Sequence, residues 1–217
     1  MANVGINQEA VRGDSPDVLR RQALRLEYIL ISYNTLEGII AIAAGWLAGS
    51  IALVGFGMDS AIEVMAAVIL VWRLRYADSV EEETERERKA LFGVGLTFFV
   101  LAAYVIYEAG TTLLRHEAPE ASWIGIALAV ASLIVMPILG LAKRRIALAM
   151  GSRALAADAM ETLVCAYLSF ALLLGLGLNA LLGWWWADPL AALAMVWYIS
   201  KEGWEDVLEA REKGPTR

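Results

Sequence analysis

The chain has 217 residues, of which 59% are hydrophobic, a mean hydropathy of +0.57 and a net charge of −6. Such apolarity excludes an ordinary soluble domain, and the length suits several membrane spans without a large soluble domain beside them. A single cysteine, Cys165, excludes an internal disulfide. The single histidine, His116, excludes a His-rich metal site, and the lack of Gly-rich phosphate loops, basic–aromatic clusters and Cys-x-x-Cys pairs excludes nucleotide, nucleic-acid and zinc-finger roles.

Residues 1–14 are polar and read as a disordered tail, lacking the basic start and apolar core of a signal peptide. Ser15-Pro16-Asp17 reads as an N-cap, a first-turn proline and a first-turn acid. The helix it starts carries Arg20, Arg21 and Arg25, and residues 15–27 are expected as a separate amphipathic helix at the membrane surface. Six apolar runs follow, roughly 28–48, 50–72, 90–113, 122–142, 154–178 and 184–204. Each reaches the roughly 20 residues that cross a bilayer. The fold class is therefore an all-α integral membrane protein, with a six-helix transmembrane domain over 28–204 and a short cytoplasmic tail over 205–217. Gly49-Ser50 leaves only a tight hairpin between the first two spans, and Glu81 to Lys89 reads as a solvated helical extension with i,i+4 charge pairs.

With both termini inside, 17 of the 18 Lys and Arg residues fall on the inner side and Arg115 alone falls outside, a strong positive-inside pattern. Trp46, Trp123 and Trp184 to Trp186 then form the outer aromatic belt, and Trp72 and Trp204 the inner one. The expected location is a bacterial cytoplasmic membrane.

One stretch occurs twice. Ser50 to Glu63 reads SIALVGFGMDSAIE and Ser152 to Cys165 reads SRALAADAMETLVC. Aligned without a gap, Asp59 falls on Glu161, Ser60 on Thr162 and Glu63 on Cys165, an offset of 161 − 59 = 102. The first copy runs inward and the second outward, so spans one to three and four to six are inverted halves, a design that places substrate sites at the midplane. The i,i+4 spacing puts Asp59 with Glu63, and Glu161 with Cys165, on one helix face each. Glu37 is at a similar depth, with Asn34 three residues before it on the same face. No Lys, Arg or His is expected at this level, so the cluster needs protons or a bound cation to be tolerated. Asp158, one turn inward of Thr162, reads as a ligand or as a gate. Asp188-Pro189 reads as a helix start with the acid as its cap.

GSIALVGFGMDSAIEV, ALAADAMET and WADPLAALAMVWYI resemble the second, fifth and sixth spans of the cation diffusion facilitators, antiporters of divalent metals and protons. The resemblance covers about 28–204. It implies a tetrahedral metal site on Asp59, Glu63, Glu161 and Cys165. Asp/Glu and Glu/Cys replace the family's usual His or Asp pairs, so Asp158, Glu37 or Asn34 are further candidates for metal or proton coupling. The resemblance also implies a homodimer, and the sequence matches a minimal branch without the family's cytoplasmic domain. No permanently bound cofactor is expected. The substrate is expected to be Zn2+, with Cd2+, Fe2+ and Mn2+ open, since oxygen ligands and a thiol pull in different directions. The rival readings are a proton-coupled exporter of small organic cations and a non-transporting membrane scaffold. An enzyme is not expected, because no nucleophile shares a depth with a histidine base.

Overall fold

A computed structural model describes residues 15–75, 80–115 and 120–212, all of its regular structure helical. The helices are α1 (Pro16–Ala48), α2 (Ile51–Arg75), α3 (Val80–Arg115), α4 (Trp123–Met150), α5 (Arg153–Leu182) and α6 (Ala187–Glu212). The expected disordered tail over 1–14, His116 and the end of the chain lie outside the described residues.

The internal repeat is written into the helix ends. Both α1 and α4 stop at a left-handed glycine, Gly49 (φ 65°) and Gly151 (φ 63°). Glycine is the residue that takes this conformation without a Cβ clash. The next residue is a serine in both copies, and its hydroxyl accepts from the backbone of the new helix: Leu53 N–H at 3.1 Å for Ser50, Leu155 N–H at 3.3 Å for Ser152. A Gly-Ser pair thus makes two equivalent hairpins, 102 positions apart.

The hairpins close tightly because small residues face each other. A Cβ on Gly45 would meet the Val54 backbone nitrogen at 2.8 Å, and one on Gly38 would meet the Gly57 carbonyl at 3.0 Å. The repeat counterpart of the second contact is Gly140, whose Cβ would meet the Ala159 carbonyl at 3.2 Å. Close backbone approach through small residues is how membrane helices gain packing without a hydrophobic drive. Gly45→Leu is therefore expected to cost about 1–3 kcal/mol and to lower the melting temperature of the solubilised protein. Gly177→Ala is the control, because its Cβ would meet nothing within 4 Å.

The most extensive helix pairs are α4 with α5, α1 with α2, and α3 with α6; α1 also meets α4, and α2 meets α5. Each helix therefore packs against its repeat mate. One large hydrophobic cluster, including Phe56, Leu101, Met136, Leu168 and Leu172, fills the bundle. A second, smaller one (Leu19, Ala23, Leu70, Ile146, Ala147 and Leu155) closes the end rich in Arg and Lys. Outward-facing residues are themselves apolar, with Leu36 and Ile138 each 64% exposed, as a bundle solvated by lipid requires.

The start of the first helix differs from expectation. Residues 16–27 are the first turns of α1 rather than a separate surface helix. No Gly or Pro interrupts the chain between Pro16 and Gly38, and Leu19, Ala23, Glu27, Leu30, Asn34, Glu37 and Ala41 form one continuous buried stripe. Arg20 reinforces this, donating to the carbonyls of Leu74 and Arg75 at the end of α2. Ser15 makes no side-chain cap; its backbone carbonyl instead accepts from Val18 and Leu19. Of the six helices, α1, α2, α4 and α5 are long and apolar enough to cross a membrane among the described residues. The expected third and sixth spans are helical too, as α3 and α6.

Candidate functional site

The buried stripe of α1 and the repeated stretches of α2 and α5 meet in the bundle interior, where they bring polar side chains into an otherwise apolar core. Asn34, Glu37, Asp59, Ser60, Glu63, Ser132, Thr162 and Cys165 are all buried. Asn34 Nδ2 donates to Glu63 Oε2 at 2.6 Å, and Ser60 Oγ donates to Glu37 Oε2 at 3.3 Å. These two bonds join α1 to α2 at successive turns. Tyr33 and Ser132 lie beside Glu37. The Cys165 thiol is within electrostatic range of Glu63, Asp59 and Glu37 and adjoins Ser132.

The repeat extends into this polar interior. Ser60 Oγ donates to the Phe56 carbonyl at 3.1 Å, and Thr162 Oγ1 to the Asp158 carbonyl at 3.0 Å. Thr162 thereby keeps a lone pair that accepts from Lys143 Nζ at 3.3 Å, whereas the single Ser60 proton is shared between the Phe56 carbonyl and Glu37.

Of the sequence-derived set, Asp59, Glu63, Cys165, Asn34 and Glu37 are therefore brought together. Glu161 is only half-buried; on α5 it is Asp158, Thr162 and Cys165 that share the buried face, at i, i+4 and i+7. Among the described residues no three His, Cys, Asp or Glu side chains stand close enough to hold a metal ion. The set is gathered without forming a coordination shell, and mutual repulsion of carboxylates favours that spacing.

Oxygen atoms are nonetheless in surplus. Asn34 Oδ1 and Glu63 Oε1 are buried with no hydrogen-bond partner among the described residues, while the Tyr33 and Ser132 hydroxyls stand beside Glu37 and can donate to it. Buried polar atoms are rarely left so, and several acceptors converging at one level suit a cation or exchangeable protons.

The largest correction concerns Lys143. The expectation that no cation would lie near the acids fails. Lys143 is fully buried, pairs with Glu27 Oε1 at 3.1 Å and forms a closer ion pair with Asp158. Its charge also reaches Glu63. The Lys143-Arg144-Arg145 run looks like a solvated inner loop, but α4 continues to Met150, and only Gly151 and Ser152 separate it from α5. Helical phase could have exposed this: Met136, Leu139, Gly140, Lys143, Ile146 and Ala147 all lie on the buried face of α4. Glu27 was missed for the parallel reason that its stripe was broken at the presumed membrane surface.

Asp188 is also reassigned in part. It lies in the first turn of α6, fully buried. Its carboxylate caps a different helix, accepting from Ser50 Oγ at 2.5 Å, Ile51 N–H at 3.0 Å and Ala52 N–H at 3.4 Å at the start of α2.

The family model described as the cation efflux transmembrane domain matches residues 28–212. Among curated proteins, the chain is 26% identical over 167 residues to the cation-efflux pump FieF of Shewanella oneidensis, covering 74% of this chain and 56% of that protein. It is 25% identical over 180 residues to transmembrane protein 163 of Xenopus laevis, covering 83% and 60%. It is 26% identical over 194 residues to the magnetosome protein MamB of a Magnetospira strain, covering 84% and 63%. The chain thus spans about three fifths of the length of these relatives.

Proposed function

The chain belongs to the cation efflux family, and from that premise we propose that it exports divalent metal cations, Zn2+ foremost, in exchange for protons. The observation that carries the reading is the buried meeting of Asp59, Glu63 and Cys165 from two repeat-related helices, with unsatisfied oxygens around them. A relative's name, cation-efflux pump, agrees with it. Efflux is the direction the family implies, and the end rich in Arg and Lys faces the cytoplasm in this reading. The cation arrives there, displaces protons from Asp59, Glu63 and Glu161, and is bound by these carboxylates and Cys165. Rocking of the inverted halves then exposes the site to the other side, where protons displace the metal. Glu161, one turn before Cys165 on α5, is the fourth ligand in this reading; Asn34 and Glu37 orient the carboxylates and carry protons.

The test is metal flux into proteoliposomes under a pH gradient, across Zn2+, Cd2+, Fe2+ and Mn2+. Flux of Zn2+ that collapses when the gradient is dissipated supports the proposal. A well-folded protein that moves none of the four sinks it and points to an organic-cation exporter. The thiol supplies a separate prediction. Cys165→Ser replaces a soft ligand by a hard one, so transport of Zn2+ and Cd2+ should fall about tenfold relative to Mn2+. An unchanged selectivity ratio would remove Cys165 from the ligand set.

A further inference from the structure

The polar interior has a second part that metal ligation does not use. Lys143 of α4 bridges Glu27 of α1 and Asp158 of α5, and the side chains of Lys143 and Glu27 are 0% exposed. Along each helix this triad lies between the two hydrophobic clusters. Glu27 falls between Ala23 and Leu30, Lys143 between Leu139 and Ile146, and Asp158 between Leu155 and Cys165. Between the end rich in Arg and Lys and Glu63 lie first the Leu19–Leu70–Ile146–Leu155 cluster and then this ion triad.

The inverted repeat shows that the triad is not a by-product of the fold. At the offset of 102, Lys143, Asp158 and Glu27 correspond to Ala41, Phe56 and Ala129. Those three are buried at 0%, 1% and 0% exposure within the main hydrophobic cluster. One related position is thus sealed by packing and the other by charge. The seals differ in kind: an apolar seal has no direct attraction for a passing cation, whereas the carboxylates of an ionic one can exchange their ammonium partner for another positive charge.

We propose that Lys143 is a tethered cation that closes the basic-end mouth of the site by bridging Glu27 and Asp158, and that a divalent cation gains access from that side only when its ammonium leaves this bridge. The proposal rests on the transport reading above. Lys143 is here a positioning residue, not a ligand: like charges keep its ammonium and the metal from sharing the same carboxylates. Its four-carbon stem lets the charge swing away without α4 moving. Opening therefore separates α1 and α5 at one end of the bundle and leaves the Phe56 end packed.

Cys165 is the one thiol in the chain, buried on the far side of the triad from the basic end, and so reports access. The experiment labels it with a membrane-impermeant methanethiosulfonate reagent, in inside-out and right-side-out vesicles carrying the full chain. Lys143→Met leaves Glu27 and Asp158 facing each other, and labelling from the basic side should accelerate about tenfold. Glu27→Gln keeps the Lys143–Asp158 pair and creates no unpaired buried charge, so it tests the idea even if the first variant fails to fold; an acceleration of about threefold is expected. The exchange Lys143→Asp with Asp158→Lys restores the pair and should return the rate toward wild type. Labelling of the folded variants that is unchanged, or that rises equally from both sides, overturns the proposal. Metal flux in the same vesicles separates the two claims. Flux that persists with unchanged labelling rejects the lock and keeps the transporter, whereas absence of wild-type flux rejects the transporter itself.

Discussion

Asp59→Asn is expected to abolish metal flux in proteoliposomes, by about a hundredfold or more, while leaving the protein folded and no less stable than the wild type. Asp59 is buried in the middle of α2, one turn from Glu63 and within electrostatic range of Cys165. Asparagine keeps the shape and one oxygen but removes the charge that would hold a divalent cation. Losing an anionic ligand costs more than the ten- to hundredfold typical of an outer-shell partner. Stability moves the other way, because a buried carboxylate carries a desolvation cost that its neutral isostere lacks. The split between flux and melting temperature is the informative result. A variant that still transports at a tenth of the wild-type rate or better would take Asp59 out of the site. A variant that differs only in stability, beside a wild type with no flux, would favour a membrane scaffold.

Asp188→Ala is expected to have the largest effect on stability, about 3–5 kcal/mol, and to leave Asp59, Glu63 and Cys165 untouched. The Asp188 carboxylate accepts three hydrogen bonds at the start of α2, two from backbone N–H groups that have no intrahelical partner. Each buried donor stranded by the substitution costs about 1–3 kcal/mol, and the favourable placement of an anion at a helix N-terminus is lost as well. Because the carboxylate belongs to α6 and its donors to α2, the loss also unties two helices 136 to 138 positions apart in sequence. Asp188→Asn, which keeps an acceptor, should lose about half as much. Thermal unfolding in detergent reads both. An alanine variant melting within a degree or two of wild type would show that solvent or lipid replaces these bonds.

The site was partly legible because its acids break a strong pattern. In a helix of lipid-like composition, Asp59 and Glu63 have no ordinary structural use, and the repeat doubled the signal by setting Glu161 and Cys165 against them. Depth was legible too, since 1.5 Å per residue places Glu37 and Asn34 near the same level. The hydroxyls around Glu37 were not. Tyr33 and Ser132 are unremarkable residues in apolar runs, and only the packing of α1 against α4 places them together. Glu161 shows the converse limit: repeat alignment equates it with the buried Asp59, yet it is half-buried while Thr162 and Cys165 turn inward.

The amino-acid order alone determined the membrane class, the two inverted halves, the first Gly-Ser hairpin and which acids lie inside apolar runs. These rest on local rules: apolar run length, charge asymmetry, glycine's left-handed conformation and helical spacing along one element. Tertiary structure alone decided the fate of Lys143, Glu27 and Asp188. A lysine in a Lys-Arg-Arg run has the composition of an inner loop whether its stem points to water or into the bundle. Helical phase puts it on the buried face of α4, but no pattern within α4 says that carboxylates from α1 and α5 meet its end. Asp188 likewise resembles a cap for its own helix, and only the packing of α6 against α2 turns it to another. Periodicity records which face of a helix is buried, but the partner of a buried charge is a property of the neighbouring helices.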